Sequence, residues 1–394
     1  MLKNKIYNYF FNEILRNFII ILFTFTAIAW VVRAVNFLDL MVEDGYGSSV
    51  YFKYSLLNIA SIASRFIPLA FLLSLTISIL KFERQQELLI LWTTGLSKIK
   101  IVNIFLLIGL FITLFQLLLS AFINPLLLNE SRSLLRDNSS LQINTVLRSN
   151  DFSDAFKNLT FYVESKNTND ELINIFIKDV GGNLNTISAK KDENKNSTII
   201  AKKGFVDNDK LILFDGIIQS IQPNNKIKNI QFEKTELSLG KISSRTIKQP
   251  KIQETSSSSL IKCFLKKNNS LVIDSCTENY KIEVTQTLSR RLGMPLYIPL
   301  ISIIISLLLI NKKKGKYNFL KKYLLFILTF IILIFAEILL KFTGMSLYAL
   351  SFYFLLPISI SFFFYIYLFK RIVNEHIISK YRVFIDKYNN FPFF

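Results

Sequence analysis

Hydrophobic residues along this chain fall into two blocks of long, nearly unbroken runs that flank a polar middle. A helix that crosses a membrane needs about 20 mostly apolar residues. Three runs before residue 130 meet that need, at about 11–35, 56–80 and 101–126. Three more follow residue 290, at about 295–310 (its start extended upstream), 323–340 and 347–369. The pattern predicts six transmembrane helices, arranged three plus three. Between the blocks the periodicity becomes that of short strands. LTFYVES puts Leu159, Phe161 and Val163 on one face, and LINIFIKDVGG runs apolar until Gly181-Gly182. Asp207-Asn208-Asp209, Asp215-Gly216 and Pro223-Asn224-Asn225 supply turn residues between further strands. The expected fold class is a membrane α-helical protein with an inserted antiparallel β-sandwich or β-jelly-roll domain. The expected limits are residues 1–126 for the first helices, 127–287 for the β-domain and 288–394 for the last helices and tail. The Ser-rich QETSSSSLIK reads as the return linker towards the fourth span.

Composition agrees with this division. Of the 394 residues 51% are hydrophobic, and 37 are Phe against only 12 Gly, which is too apolar for an ordinary soluble protein. No small-residue cleavage site follows the first run, so it reads as an uncleaved span and not as a signal peptide. The net charge of +19 invites a nucleic-acid reading. No basic run interleaved with stacking aromatics lies outside the membrane segments, so no nucleic-acid partner is expected. The cations speak instead to orientation. Lys3 and Lys5, then Lys81, Arg84, Lys98 and Lys100, then NKKKGKYNFLKK, then Lys370, Arg371, Lys380 and Arg382 all fall on one side of a six-span chain. Both termini are therefore expected in the cytoplasm and the β-domain outside it.

Catalytic chemistry is missing from the sequence. The one histidine, His376, lies in the tail. No H-E-x-x-H, no Cys/His cluster, no G-x-S-x-G and no G-x-x-x-x-G-K-[ST] occurs. No catalytic residue, metal or cofactor is expected, and energy for any work must come from a partner or an ion gradient. Deep carboxylates would mark an ion route. Only Glu337 in the fifth span qualifies, with Lys341 one turn on as an expected partner. The two cysteines, Cys263 and Cys276, both lie in the outer region. They pair there or stay as free or buried thiols, and spacing alone decides nothing.

Two features ask for a function. Arg33, Arg65, Arg290, Arg291 and Lys341 sit at the outer ends of spans, where positive-inside statistics place few cations. Each can snorkel to headgroups. As a set they suit an anionic amphiphile, because a guanidinium grips phosphate with two hydrogen bonds. The second feature is KFERQQELLILWTTGLSKIK at residues 81–100, more elaborate than a connecting loop needs to be. Leu88, Leu91 and Trp92 share one helical face, and Glu83 and Glu87 share another. Gly95 suits a left-handed helix stop, and Ser97 suits a cap for the third span. A short cytoplasmic helix at about 82–94 is expected. It either lies on lipid or docks to a partner, and its two acids are ill suited to an anionic membrane surface.

From span to span the chain resembles the lipopolysaccharide export permeases LptF and LptG (the YjgP/YjgQ family). The most specific piece is IPLAFLLSLTISILKFERQQELLILWTTGLS, a Pro-containing second span followed by a Glu and then Gly-Leu-Ser. The strands LTFYVES, INIFIKD, IIAKKGFV and LILFDG are similar to the outer domain of LptF more than to that of LptG. The resemblance implies an ATP-driven exporter that takes lipopolysaccharide out of the inner membrane and passes it to a periplasmic bridge. It implies an LptG-like paralogue as the second half of a heterodimer, a pair of LptB-like cytoplasmic ATPases, an LptC-like subunit, and contact with membrane lipid. Glu87 matches the family's coupling-helix acid, with Glu83, Leu88, Leu91, Trp92 and Gly95 around it in the docking segment. Arg33 is similar to the family's basic position on span one, and Phe161 and Val163 lie in the jelly roll that receives lipid. One departure stands out. The family carries an acid one turn before an Arg ahead of span four, where this chain has Thr287. Two other classes fit the residues alone: a membrane-anchored receptor or scaffold with an outer ligand-binding domain, and an ion-coupled transporter.

Overall fold

The computed structural model describes residues 2–42, 46–137, 149–156, 158–167, 171–180, 197–207, 210–221, 227–238, 251–265, 278–310 and 316–389. Before the sheet come helices α1 (Leu2–Asn36), α2 (Asp39–Val42), α3 (Ser48–Leu57), α4 (Ile59–Arg84), α5 (Glu87–Thr93) and α6 (Lys98–Leu118). A π-helical turn at Leu119–Ile123 then leads into α7 (Asn124–Asp137). Six strands follow: β1 (Asp151–Phe156), β2 (Leu159–Lys166), β3 (Leu172–Asp179), β4 (Ser197–Asp207), β5 (Lys210–Ile221) and β6 (Ile227–Ser238). The chain ends with α8 (Ser257–Leu265), α9 (Glu278–Leu292), α10 (Tyr297–Ser306), α11 (Lys316–Phe342) and α12 (Leu347–Asn389).

Among the described residues, six helical runs are long and apolar enough to cross a membrane: Lys5–Met41, Ser48–Arg84, Lys98–Arg136, Tyr280–Ile310, Leu320–Phe342 and Leu347–Asn374. Each lies on one of the runs expected from the sequence. Contacts divide the chain into two compact units, Met1–Ala29 with Ile59–Leu127 and Ile252–Phe394, and Trp30–Asn58 with Leu128–Lys251.

The helical unit is built around its fourth span. Of that span's most apolar stretch 83% is buried, against 11% for the first span, 22% for the fifth and 17% for the sixth. The fourth span therefore serves as the hub, and the other three keep broad apolar faces for lipid or another chain. Lipid tails are as apolar as Leu, so packing here depends on close approach. Gly109 on α6 supplies it: a Cβ there would meet the Ser302 side chain of α10 at 3.2 Å. Two prolines within spans show how freed carbonyls are recovered. Proline removes one helical N–H and so strands the carbonyl four residues earlier. For Pro68 that carbonyl belongs to Ser64, and Gln116 Nε2 donates to it at 3.2 Å while Asn124 Nδ2 donates to Ser64 Oγ at 2.8 Å. For Pro357 it belongs to Tyr353, and the buried Tyr297 hydroxyl lies 3.4 Å away as donor.

The second unit contains the expected antiparallel domain. Its six strands pair in the order β1-β2-β3-β4-β5-β6, each with its neighbour in sequence. The described strands thus form an up-and-down antiparallel sheet in which each strand pairs with its neighbour in sequence. Leu159, Phe161 and Val163 share the buried face as predicted, with Ile175, Ile177, Ile199 and Leu213. Asp215-Gly216 is not a turn. Both residues lie inside β5, and Gly216 pairs with Ala201 and Phe232. Glycine is needed there because a Cβ would come within 2.4 Å of the Ile200 carbonyl and of the Phe232 ring. The turn candidates 181–182, 208–209 and 223–225 lie outside the described residues.

The Ser-rich segment is also no plain linker. It forms a 3₁₀ turn at Ile252–Glu254 and then α8, whose Leu260 and Cys263 pack with Val284 and Leu288 of α9. Cys263 is disulfide-bonded, and Cys276 lies outside the described residues.

Candidate functional site

The segment after the second span folds differently from the single helix expected at 82–94. α4 runs on to Arg84, and the chain then turns at Gln85-Gln86, with Gln86 in the left-handed region at φ 60°. That turn separates the two acids, so Glu83 ends α4 and Glu87 opens α5. Gly95 ends α5 as anticipated, at φ 89°. Its N–H bonds to the Trp92 carbonyl at 3.2 Å and the Leu96 N–H to the Leu91 carbonyl at 3.0 Å. These are the paired bonds of a Schellman stop. Ser97 stands at the start of α6 with extended backbone, but its side chain makes no capping bond.

The faces of α5 are the reverse of a simple docking reading. Leu88 is 3% exposed, and Leu91 and Trp92 pack against the main hydrophobic core. The helix uses this stripe to seat itself on the spans, since seven residues have too few hydrogen bonds to stand alone. What remains outward is Leu89 and Ile90, 54% and 58% exposed, beside Thr93 and Thr94. Polar contacts tie the same region to three spans. Tyr9 on α1 donates its hydroxyl to Glu87 Oε1 at 3.0 Å. Lys322 on α11 donates to Glu83 Oε2 at 2.6 Å. Lys81 and Arg16 both bind Glu13, a carboxylate that is largely buried. Lys98 lies over the Trp92 ring at 4.8 Å.

This loop helix, the six spans and the sheet domain agree with a single known family. The family described as Lipopolysaccharide export system permease LptF/LptG matches residues 8–371. This chain belongs to the LptF/LptG family. It is a multi-pass membrane protein of a permease family, and that family works within a lipopolysaccharide export system. The chain is also 23% identical over 293 residues to an uncharacterized protein, RP871, of Rickettsia prowazekii (strain Madrid E), covering 73% of this chain and 77% of that one.

Seen as an LptF/LptG permease, the chain gives the five cations singled out in its sequence unequal surroundings. Arg291 is 6% exposed and bonded within the chain. Its two terminal nitrogens donate to the Gln253 and Thr255 carbonyls and to Ser257 Oγ at 2.8–3.0 Å. Burial of a guanidinium demands such partners, and three of its five N–H donors are placed on them. Arg290, by contrast, is exposed and pairs with Glu337 at 3.0 Å. Glu337 was expected to pair with Lys341, but the partner that reaches it lies on α9. Lys341 is exposed, and its carbonyl accepts from Gln286 at 2.7 Å. Arg65 is exposed on α4 and Arg33 half-buried in the last turn of α1, which belongs to the other unit. Phe161 and Val163, each 1% exposed, lie inside the core of the sheet. Among the described residues no cluster of three or more His, Cys, Asp or Glu is placed to hold a metal ion.

Sequence reasoning missed Tyr9, Glu13 and Lys322 as partners of the loop segment and Arg291 as an anchor. The first three are far from it in sequence and carry no local signal. Arg291 is next to Arg290, and only burial separates them.

Proposed function

We propose that this chain is the LptF-like transmembrane subunit of an ATP-driven lipopolysaccharide exporter of the bacterial inner membrane, with both termini cytoplasmic and the sheet domain periplasmic. An LptG-like paralogue completes the permease, a pair of LptB-like ATPases hydrolyses ATP, and an LptC-like subunit receives lipid on the way to the periplasmic bridge. The observation that carries this reading is α5, a deliberately ended helix that presents Leu89 and Ile90 outward, beside the half-buried Glu87, from a chain of the LptF/LptG family. An exposed apolar pair beside a carboxylate suits a groove with an apolar floor and a basic rim. Leu88, Leu91, Trp92 and Gly95 support that contact from behind by seating and ending the helix. Lipopolysaccharide phosphates meet Arg33, Arg65, Arg290 and Lys341 at the outer ends of the spans, and its acyl chains meet the apolar faces of the first and fifth.

The test is purification from native membranes through a tag on this chain, with mass identification of what accompanies it. An ATPase and a paralogous permease are expected. Glu87→Ala and Ile90→Asp should each lose the ATPase while the chain remains inserted. Full recovery of the ATPase with both variants would overturn the docking assignment.

A further inference from the structure

The loop segment is joined to the spans by polar bonds at both of its ends, and the bonds lead to different helices. Tyr9 of α1 reaches Glu87 at the start of α5, and Lys322 of α11 reaches Glu83 at the end of α4. The first and fifth spans are also among those least covered by the rest of the chain. Little internal packing has to be broken to displace them sideways.

Tyr9 is well set to transmit force. Its ring lies 5.9 Å from Phe10 and 6.0 Å from Phe82, and Phe10 in turn meets Phe82 at 4.7 Å and Phe105 at 6.2 Å. Phe10, Phe82 and Phe105 are buried. The hydroxyl of Tyr9 is thus carried on a half-exposed ring set against Phe82 of α4, beside the buried Phe10 of its own helix, and a displacement of Glu87 acts on the start of α1. Glu87 has two oxygens, and Tyr9 takes Oε1. The other oxygen is the natural acceptor for a cation of a docked partner. One carboxylate then links the partner on one side to the first span on the other.

We propose that Tyr9 and Lys322 are positioning residues, which pass movement of the α5 segment to the first and fifth spans through Glu87 and Glu83. The proposal rests on the ATPase-docking reading above and adds to it the route by which docking moves the membrane helices. Exposed polar pairs contribute little to stability, so their worth here lies in direction. A bond of fixed length converts a shift of the loop into a shift of a named helix, where an apolar contact would slide.

The experiment uses the whole complex, purified through this chain and reconstituted with lipopolysaccharide in phospholipid vesicles. ATP hydrolysed and lipopolysaccharide released are measured together. Tyr9→Phe keeps the ring packing and removes only the donor, and Lys322→Met keeps the stem and removes only the charge. Each should retain the co-purified ATPase and its hydrolysis rate. Lipopolysaccharide released per ATP should fall by about fivefold or more, the low end of ordinary coupling effects. Glu83→Lys should show the same loss, and Glu83→Lys with Lys322→Glu should restore release, which a purely structural role would not predict. An unchanged release ratio in Tyr9→Phe and Lys322→Met would overturn the proposal. So would loss of the ATPase in Tyr9→Phe, since Tyr9 would then act in docking. A wild-type complex that carries no ATPase would instead overturn the docking reading itself.

Discussion

Arg290 and Arg291 are adjacent on α9 but meet different surroundings. Arg291 spends its donors on the backbone and hydroxyl of residues 253–257, and so pins the return segment to the fourth span. Hydrogen bonds to a charged group contribute about 1.5–3 kcal/mol each, and unsatisfied buried carbonyls add a penalty when the donor is removed. Arg291→Met should therefore cost about 3 kcal/mol or more. It should lower the thermal midpoint in detergent and speed hydrogen exchange over 251–265. Arg290→Met loses a surface pair and should change stability by about 1 kcal/mol or less. Its effect is expected in crosslinking to lipopolysaccharide. Equal destabilisation by the two changes would contradict the division of roles. At this scale the sequence was informative about residue type and silent about environment. A run of two arginines reads as one feature until burial separates them. The Ser64–Gln116 contact was closer to legible, because Pro68 announces a stranded carbonyl four residues earlier, although nothing in the sequence names the donor that meets it.

At the scale of elements, the spans were legible because a membrane leaves few alternatives: apolar length alone decides them. Strands β2 to β6 were legible for a similar reason, since alternation with one buried face has a single solution. Boundaries within the loop segment were not legible. A helical stripe at Leu88, Leu91 and Trp92 is the same on paper whether it faces a partner or the chain's own core, and here it faces the core. The left-handed turn at Gln86 was also hidden, because Gln is not a residue that signals one. Gly95 was readable, and it yields a clean prediction. Nothing lies within 4 Å of the Cβ it lacks, so a substitution there meets only backbone strain. Gly95→Val should cost about 1–3 kcal/mol locally and fray the end of α5. Co-purified ATPase should fall, with little change in the overall melting of the spans. Gly216→Ala is the contrasting case, because its cost is steric. It should destabilise the sheet domain, measured as faster proteolysis within residues 197–238, and leave ATPase recovery unchanged.

For the whole molecule, the chain offers six spans, a local antiparallel sheet, a loop helix seated from behind with Leu89 and Ile90 exposed in front, and the cations Arg33, Arg65, Arg290 and Lys341 along its spans. Membership of the LptF/LptG family gives these parts a shared purpose. The sequence carries none of the catalytic motifs that would let it do work alone. The account therefore requires that force enter at α5 and that lipid leave at the opposite face of the membrane. The direct test is ATP-dependent release of lipopolysaccharide from vesicles that contain the complex purified through this chain. Release is predicted with ATP, not with a non-hydrolysable analogue, and not in the Glu87→Ala complex. A wild-type complex that hydrolyses ATP without releasing lipopolysaccharide, or releases it equally well without ATP, would contradict the account.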